Sequence, residues 1–455
     1  MTMYTHTKKQ ILNVLFMSEV HMLKAKALFA ILVLTIRYVQ SVRCDDLNVI
    51  MNDYLLRPLK MKNKLLILVL SVVLCSCIQS RQEKEEYFAQ HIIDINNPVK
   101  ISIDEFITDI DTIRLEAIYE SFMKNAFQMR IMNDKFYILS NNHTCILIFD
   151  LQGKYLSQIN DRGNGPNEYV RIGSFEVDHV NKRIIISDSF SKKILVYNED
   201  GKQLDVIRLD FHPQVIVSHK DRFINFYSGS KHQYTNPEAE NYNLHFLDSK
   251  GKFISSAITN ETPNRIDVFS SHSINSLDNG DILFHPVLGN IIYKINDDSI
   301  DAYYAFNNLS KYKLLSKKDK KKFISSTAPN GESHFKEKED QGYLLTWGEV
   351  LELTDYTFFG FFGRDKKRYL YYSKKSSKTI LVEPENVEGD KNLVRILMSY
   401  PSAVNGNRFY ISPSFFEVDQ VKNSIKNEKL KTFFENTDFD SNPVIISFSI
   451  NIPED

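Results

Sequence analysis

The sequence predicts an all-β fold: a six-bladed β-propeller of four-stranded blades, with one or two short helical insertions. Three observations carry that reading. First, residues 146–154, 194–202 and 243–252 share one shape, a β-rich run followed by a polar turn and Gly-Lys. Their glycines, Gly153, Gly201 and Gly251, lie 48 and then 50 residues apart. Second, strand-like runs at 135–139 and 183–187 recur at the same 48-residue offset, so each unit holds about four short strands. Third, the composition is ordinary for a globular chain, with 43% hydrophobic and 25% charged residues and a net charge of −1 over 455 residues. That balance excludes a wholly disordered, collagen-like or polytopic membrane chain. Four cysteines are too few for a disulfide scaffold.

The first 76 residues stand apart from the repeats. Residues 61–77 read MKNKLLILVLSVVLCSC: two lysines, a ten-residue run that is apolar except for Ser71, then Leu74-Cys75-Ser76-Cys77. This is the order of a secretory signal peptide. The apolar run is too short to cross a hydrocarbon layer of ~30 Å as a helix. A signal peptide beginning at Met61 implies a start site placed too far upstream. Residues 1–60 are therefore read as a mis-assigned N-terminal extension and 61–76 as the signal peptide. The second apolar run, 27–36, is also too short to span. Residues 77–94 begin with the polar stretch 78–86 and read as a flexible tether. The propeller is expected over 95–452.

Removing 1–76 takes away ten of the 56 Lys and Arg and four of the 57 Asp and Glu. The remaining 379 residues then hold 46 basic and 53 acidic side chains, a net of −7. An acidic balance argues against a nucleic-acid partner.

Within the repeats, Asp150, Asn198 and Asp248 each open a type I turn, and the glycine three residues later takes the left-handed conformation that closes it. Downstream the pattern loosens into strand pairs at 280–286 with 290–295, 357–362 with 368–372, and 408–411 with 444–450. Six blades fit the span, and seven is the next choice. A ring closes only if its first and last blades pair, so a strand at 101–103 is expected to share a blade with 444–450, covering both edges. Two insertions read as helices: 316–324, with a lysine run at 317–322 taken as a solvated face, and 414–435, opened by a Ser414/Glu417 capping box with Phe415, Val418, Val421 and Ile425 on one face. Cys145, in an apolar run, is expected in the core.

Two resemblances sharpen the reading. Leu74-Cys75-Ser76-Cys77 resembles the lipobox of bacterial lipoproteins, which implies lipidation of Cys77. Arg162-Gly163-Asn164-Gly165-Pro166-Asn167-Glu168-Tyr169 resembles the R-G-x-G-P-x-E-Y segment of the six-bladed β-propeller lipoproteins of Bacteroides-type bacteria, relatives of the NHL-repeat propellers. The likeness continues through 175–178, 186–188 and 196–202 and returns in Asn442-Pro443-Val444-Ile445. It implies a protein anchored by its N-terminal lipid to the bacterial outer membrane or cell envelope, facing the periplasm or the exterior.

Candidate chemistry is sparse. The glycine-rich loop 162–169 lacks the Lys-Ser/Thr of a P-loop. Its glycines permit left-handed backbone, and Arg162 and Glu168 are placed to pair. Because blade connections rim the central channel, Arg162, Glu168 and Tyr169 are the candidate ligand-binding residues. Asp178 and Asp188 sit at turn and strand-end positions and are weak support for calcium. His143, His179, His212, His219, His232 and His245 form no H-x-H or H-E-x-x-H zinc pattern, and no G-x-S-x-G elbow is present. No cofactor, metal ligand or catalytic residue is assigned. The sequence thus predicts a module that binds an unidentified ligand or envelope protein. The alternative is an NHL- or lactonase-like enzyme with a metal in its channel, which would require His, Asp or Glu converging there from three or more blades.

Overall fold

The three repeated turns form as their residues dictate. Gly153, Gly201 and Gly251 have φ of +87°, +86° and +77°. The side-chain oxygens of Asp150, Asn198 and Asp248 accept the backbone N–H groups two and four residues on, at 2.7–3.1 Å. Each turn is a local unit whose carboxylate or amide satisfies donors that the hairpin leaves unpaired. The computed structural model describes residues 89–452 apart from 141, 229–238, 240, 262–269, 298, 326–331, 363–365 and 438–440.

These hairpins build six sheets, each with four antiparallel strands; one sheet carries a fifth strand at its outer edge, and another takes its outer strand from the start of the domain. The first blade holds Ala126–Met132, Lys135–Ser140, Ile146–Asp150 and Tyr155–Ile159; the second, Ser174–Asp178, Arg183–Asp188, Lys193–Asn198 and Gln203–Arg208. The third holds Val215–His219, Arg222–Phe226, Tyr242–Leu247 and Phe253–Thr259; the fourth, Ile274–Ser276, Ile282–Phe284, Ile291–Ile295 and Ile300–Asn308. The fifth holds Val350–Glu352, Tyr356–Phe362, Lys367–Ser373 and Thr379–Val382. The sixth combines Ala403–Asn405, Arg408–Ile411 and Val444–Ile450 with Ile107–Arg114 from the start of the domain. The first strand of each blade lies innermost, and the last blade's inner strand touches the first blade's, closing a six-bladed β-propeller.

Blade faces are covered on both sides by neighbouring blades, which explains the strand sequences. Middle strands such as Ile146–Asp150 and Lys193–Asn198 are apolar on both faces and almost wholly buried. Tyr137, Ile148, Phe175, Ile186 and Tyr197 pack in one such inter-blade layer. Each fully buried side chain of this size is worth about 1.5–3 kcal/mol relative to exposure. Outer strands are covered less, so Leu156, Leu204 and Ile254 reach solvent at the rim.

Closure occurs as predicted in kind but with a different strand. Ile107–Arg114 pairs with Val444–Ile450, Ile107 opposite Ile450 and Arg114 opposite Val444. Residues 101–103 do not form that strand: Ser102 makes a single bridge to Glu388, and Ile103–Phe106 is a helical turn. Asn442 locks the joint. Its Nδ2 donates to the carbonyls of Glu116 (2.8 Å) and Ser121 (3.0 Å), and its Oδ1 accepts from Met123 N (2.8 Å).

Three other expectations need correction. Residues 91–94, assigned to the tether, belong to the strand His91–Ile95, which pairs in parallel with the outer strand of the fourth blade. The single helix over 414–435 is two, Phe415–Val421 and Glu428–Glu435, the second opened by Asn427 as its own N-cap. The Ser414/Glu417 capping box is present. The lysine run 317–322 lies on the helix Lys317–Ser325, but Lys320 is buried and pairs with Glu261 at 2.8 Å. Cys145 is half-buried against the first blade's core.

Candidate functional site

The inner strands alternate, one face toward the inter-blade core and the other toward the axis. In Ala126–Met132, Met129 and Ile131 join the apolar core, leaving Gln128 and Arg130 on the channel face. In Ser174–Asp178, Phe175 and Val177 take the core, leaving Ser174, Glu176 and Asp178 for the axis. Arg130 and Glu176 meet there as a fork. Nε donates to Oε2 at 2.8 Å and Nη2 to Oε1 at 2.6 Å. Both are buried, at 8% and 1% exposure. Gln128 Nε2 adds a bond to Glu176 Oε1 at 3.2 Å. Burial pushes the Glu176 carboxyl above the usual carboxylate range, while Arg130 pulls the other way. A guanidinium does not give up its proton, so the forked contact favours the ionised form of Glu176.

Connections into later blades complete the cluster. The remaining N–H groups of Arg130 face Met129 O (2.9 Å), Ser271 O and His272 Nε2 (3.2 Å). His272 Nδ1 lies 2.9 Å from Glu349 Oε1, and the Ser270 hydroxyl donates to Glu349 Oε2. His272 Nε2 is also 3.2 Å from Ser402 O. Arg130 can only donate and so calls for a lone pair on Nε2, whereas Ser402 O can only accept and calls for a hydrogen there; Nε2 serves one of the two at a time. Five blades thus share one buried polar hub, which ties the ring together at its axis.

Above the hub is a cavity of ≈190 Å³ lined by Phe127, His272, Glu349, Tyr400 and Ser402 among others. Phe127 is 55% exposed at its mouth, its ring 4.0 Å from that of His143. Glu349 is buried and forms part of the wall. Burial raises the Tyr400 phenol, and the nearby Tyr369 and the Glu349 charge raise it further. A second cavity of the same volume lies between the third and fourth blades, beside Glu261, Lys317 and Lys320.

Glu176, His272 and Glu349 converge from three blades, as a channel metal would require. The cation between Glu176 and His272, however, is the Arg130 guanidinium. Among the described residues, no group of three or more His, Cys, Asp and Glu side chains is placed to hold a metal ion.

The glycine-rich loop is organised from within. Glu168 turns inward, and its Oε2 accepts from Gly165 N at 2.7 Å rather than pairing with Arg162. Neither Gly163 nor Gly165 has positive φ. They are needed for space: a Cβ on Gly163 would fall 1.9 Å from Glu168 Oε2. Lys193 Nζ reaches in from the second blade to the carbonyls of Gly165 (2.9 Å) and Glu168 (2.7 Å). Tyr169 is fully buried beneath, its hydroxyl facing Thr144 O (2.7 Å) and Ile159 O (3.2 Å). Arg162 is exposed. None of Arg162, Glu168 and Tyr169 lines the channel-mouth cavity. Asp178 serves a turn, accepting from Asn181 and Arg183, and Asp188 caps Val170, Phe190 and Ser191. Cys77 lies outside the described residues.

Residues 90–449 match a family model described as a domain of unknown function, DUF4934. The chain belongs to that family. Among solved structures, this DUF4934 propeller is similar to protein BF0058 from Bacteroides fragilis, with 18% identity and a TM-score of 0.66 over 79% of this chain and all of that one. A DUF4221 protein from Bacteroides vulgatus also matches, with 12% identity and a TM-score of 0.43 over 77% of this chain and 99% of that one. The first likeness shows the shared fold. No curated protein matches the sequence.

The sequence reading missed Arg130, Glu176, His272 and Glu349. A signal was available for two of them. Gln128-Met129-Arg130 and Ser174–Asp178 each place charged or amide side chains at alternate positions of a β-rich run, in the first strand of a repeat. His272 and Glu349 lie just before inner strands with no such pattern.

Proposed function

We propose that this propeller is a lipid-anchored binding module of the bacterial cell envelope, taking its ligand at the channel mouth. The observation that carries the binding reading is the cavity itself: a concave site with a rigid, hydrogen-bonded floor and two aromatic walls, Phe127 and Tyr400. Concave sites with a few convergent polar groups are where small ligands bind. Exposed Arg162, on the loop between the first two blades, offers a further contact for a partner larger than the cavity.

Anchoring rests on residues 61–77, read as signal peptide and lipobox, with Cys77 as the lipidated residue. Among the described residues no helix is long and apolar enough to cross a membrane. His91–Ile95 runs parallel to Ile300–Asn308 and so begins at the end of the fourth blade opposite Ser270 and His272.

Two measurements test the reading. Cys77→Ala should move the protein from the membrane fraction to the soluble fraction; continued retention would sink the anchor. For binding, thermal melts of purified protein are compared across small amines, carboxylates and sugars. The expected result is a stabilising compound whose effect disappears in Phe127→Ala. Absence of any such compound, or a stabilisation that Phe127→Ala leaves intact, refutes the channel-mouth site.

A further inference from the structure

We infer that the channel-mouth cavity binds a small organic ammonium ion. The inference rests on the binding reading above and narrows it to one ligand class. The cavity lining contains one acidic side chain, Glu349, and no lysine or arginine. Glu349 is 3% exposed. Each of its oxygens accepts one hydrogen bond, from His272 and from Ser270, which leaves further lone-pair sites on the carboxylate.

The nearest buried cation cannot neutralise it. Arg130 has five N–H donors, and none is directed at Glu349: two go to Glu176, two to Met129 O and Ser271 O, and the fifth faces His272 Nε2. Its charge is matched by Glu176 in the forked pair. With His272 neutral, Glu349 adds an uncompensated negative charge to a buried wall, which an anion would meet unfavourably. An ammonium ion supplies both the missing charge and N–H donors.

The rest of the cavity suits the ligand's apolar part. Phe127 and Tyr400 present rings, and aromatic faces attract cations and alkyl groups alike. The protein's own exposed Lys367 already places its Nζ over the Tyr400 ring, 5.5 Å from the centroid. A volume of ≈190 Å³ is small against the ~300–1,000 Å³ typical of drug-sized ligands, so a short alkyl or aryl amine is the class that fits.

The test is calorimetric titration of the full-length protein with n-butylammonium chloride at fixed ionic strength, with n-butanol and sodium butyrate in parallel. Saturable one-site binding of butylammonium is expected, with both controls weaker by about tenfold or more, as loss of a charge-assisted hydrogen bond implies. Glu349→Gln should weaken butylammonium by a similar factor. Phe127→Ala, at an exposed position, should weaken it several-fold and carries the test if Glu349→Gln does not fold. The ammonium assignment is overturned if butylammonium does not bind, if butanol or butyrate binds as tightly, or if a folded Glu349→Gln binds it unchanged. If butyrate or a sugar binds in a Phe127-dependent way and butylammonium does not, the ligand class fails and the binding-module reading stands. If no compound binds at the mouth, both fail.

Discussion

Asn442 offers the sharpest test of how the ring is closed. It is fully buried at the head of the C-terminal strand. Its amide makes three hydrogen bonds of 2.8–3.0 Å to the segment that follows the N-terminal closing strand. Asn442→Ala removes all three and leaves Met123 N–H without this acceptor. At roughly 1 kcal/mol net per bond, with an added cost for buried groups left unpaired, the loss should be about 3–4 kcal/mol. Asn442→Asp should cost at least as much: a carboxylate oxygen would replace the amide donor opposite the carbonyls of Glu116 and Ser121. Urea unfolding at neutral pH measures both variants. Hydrogen exchange at the Met123 amide reports locally and should lose protection in Asn442→Ala. A variant within about 0.5 kcal/mol of the parent, with Met123 still protected, would refute the view that this side chain locks the closure.

Two further predictions concern buried charge. Arg130→Met should cost about 3–5 kcal/mol by leaving Glu176 buried and unpaired. Pairing it with Glu176→Met should recover part of that loss in a double-mutant cycle, and simple additivity would show that the two side chains do not act as a unit. The second concerns acid. His245 and His285 are fully buried, and burial lowers both to about 4, from about 6.5 when unfolded. The unfolded chain therefore binds more protons between those values, so stability is present near pH 7 and is lost as pH falls through that window. At 1.36 kcal/mol per unit, each imidazole costs roughly 2 kcal/mol between pH 7 and pH 5. Urea midpoints over that range should fall accordingly, and a flat profile would contradict the buried neutral rings.

Some of this architecture was legible in the chain. Asp150, Asn198 and Asp248 bond to amides two and four residues away, so a reader of adjacent residues can see the turn and the need for glycine at 153, 201 and 251. Ser414 and Glu417 form their capping box for the same reason. Where a glycine answers to a side chain folding back on it, the reading fails. Gly163 looked like a left-handed position, yet it yields space to Glu168. The helix over 414–435 was overextended because its apolar period continues across a break set by Asn427 capping a second helix.

The sequence by itself determined the repeat, the turn chemistry, the blade interiors and the all-β class, because these rest on residues close in the chain and on strands buried on both faces. Only the tertiary structure decided which N-terminal strand closes the ring, that His91–Ile95 adds to the fourth blade, and that Arg130, Glu176, His272 and Glu349 meet at the axis. Those four span more than two hundred residues and come from four different blades or blade entries. No local pattern relates them. They become neighbours only when the ring closes and turns one face of every inner strand toward the same axis.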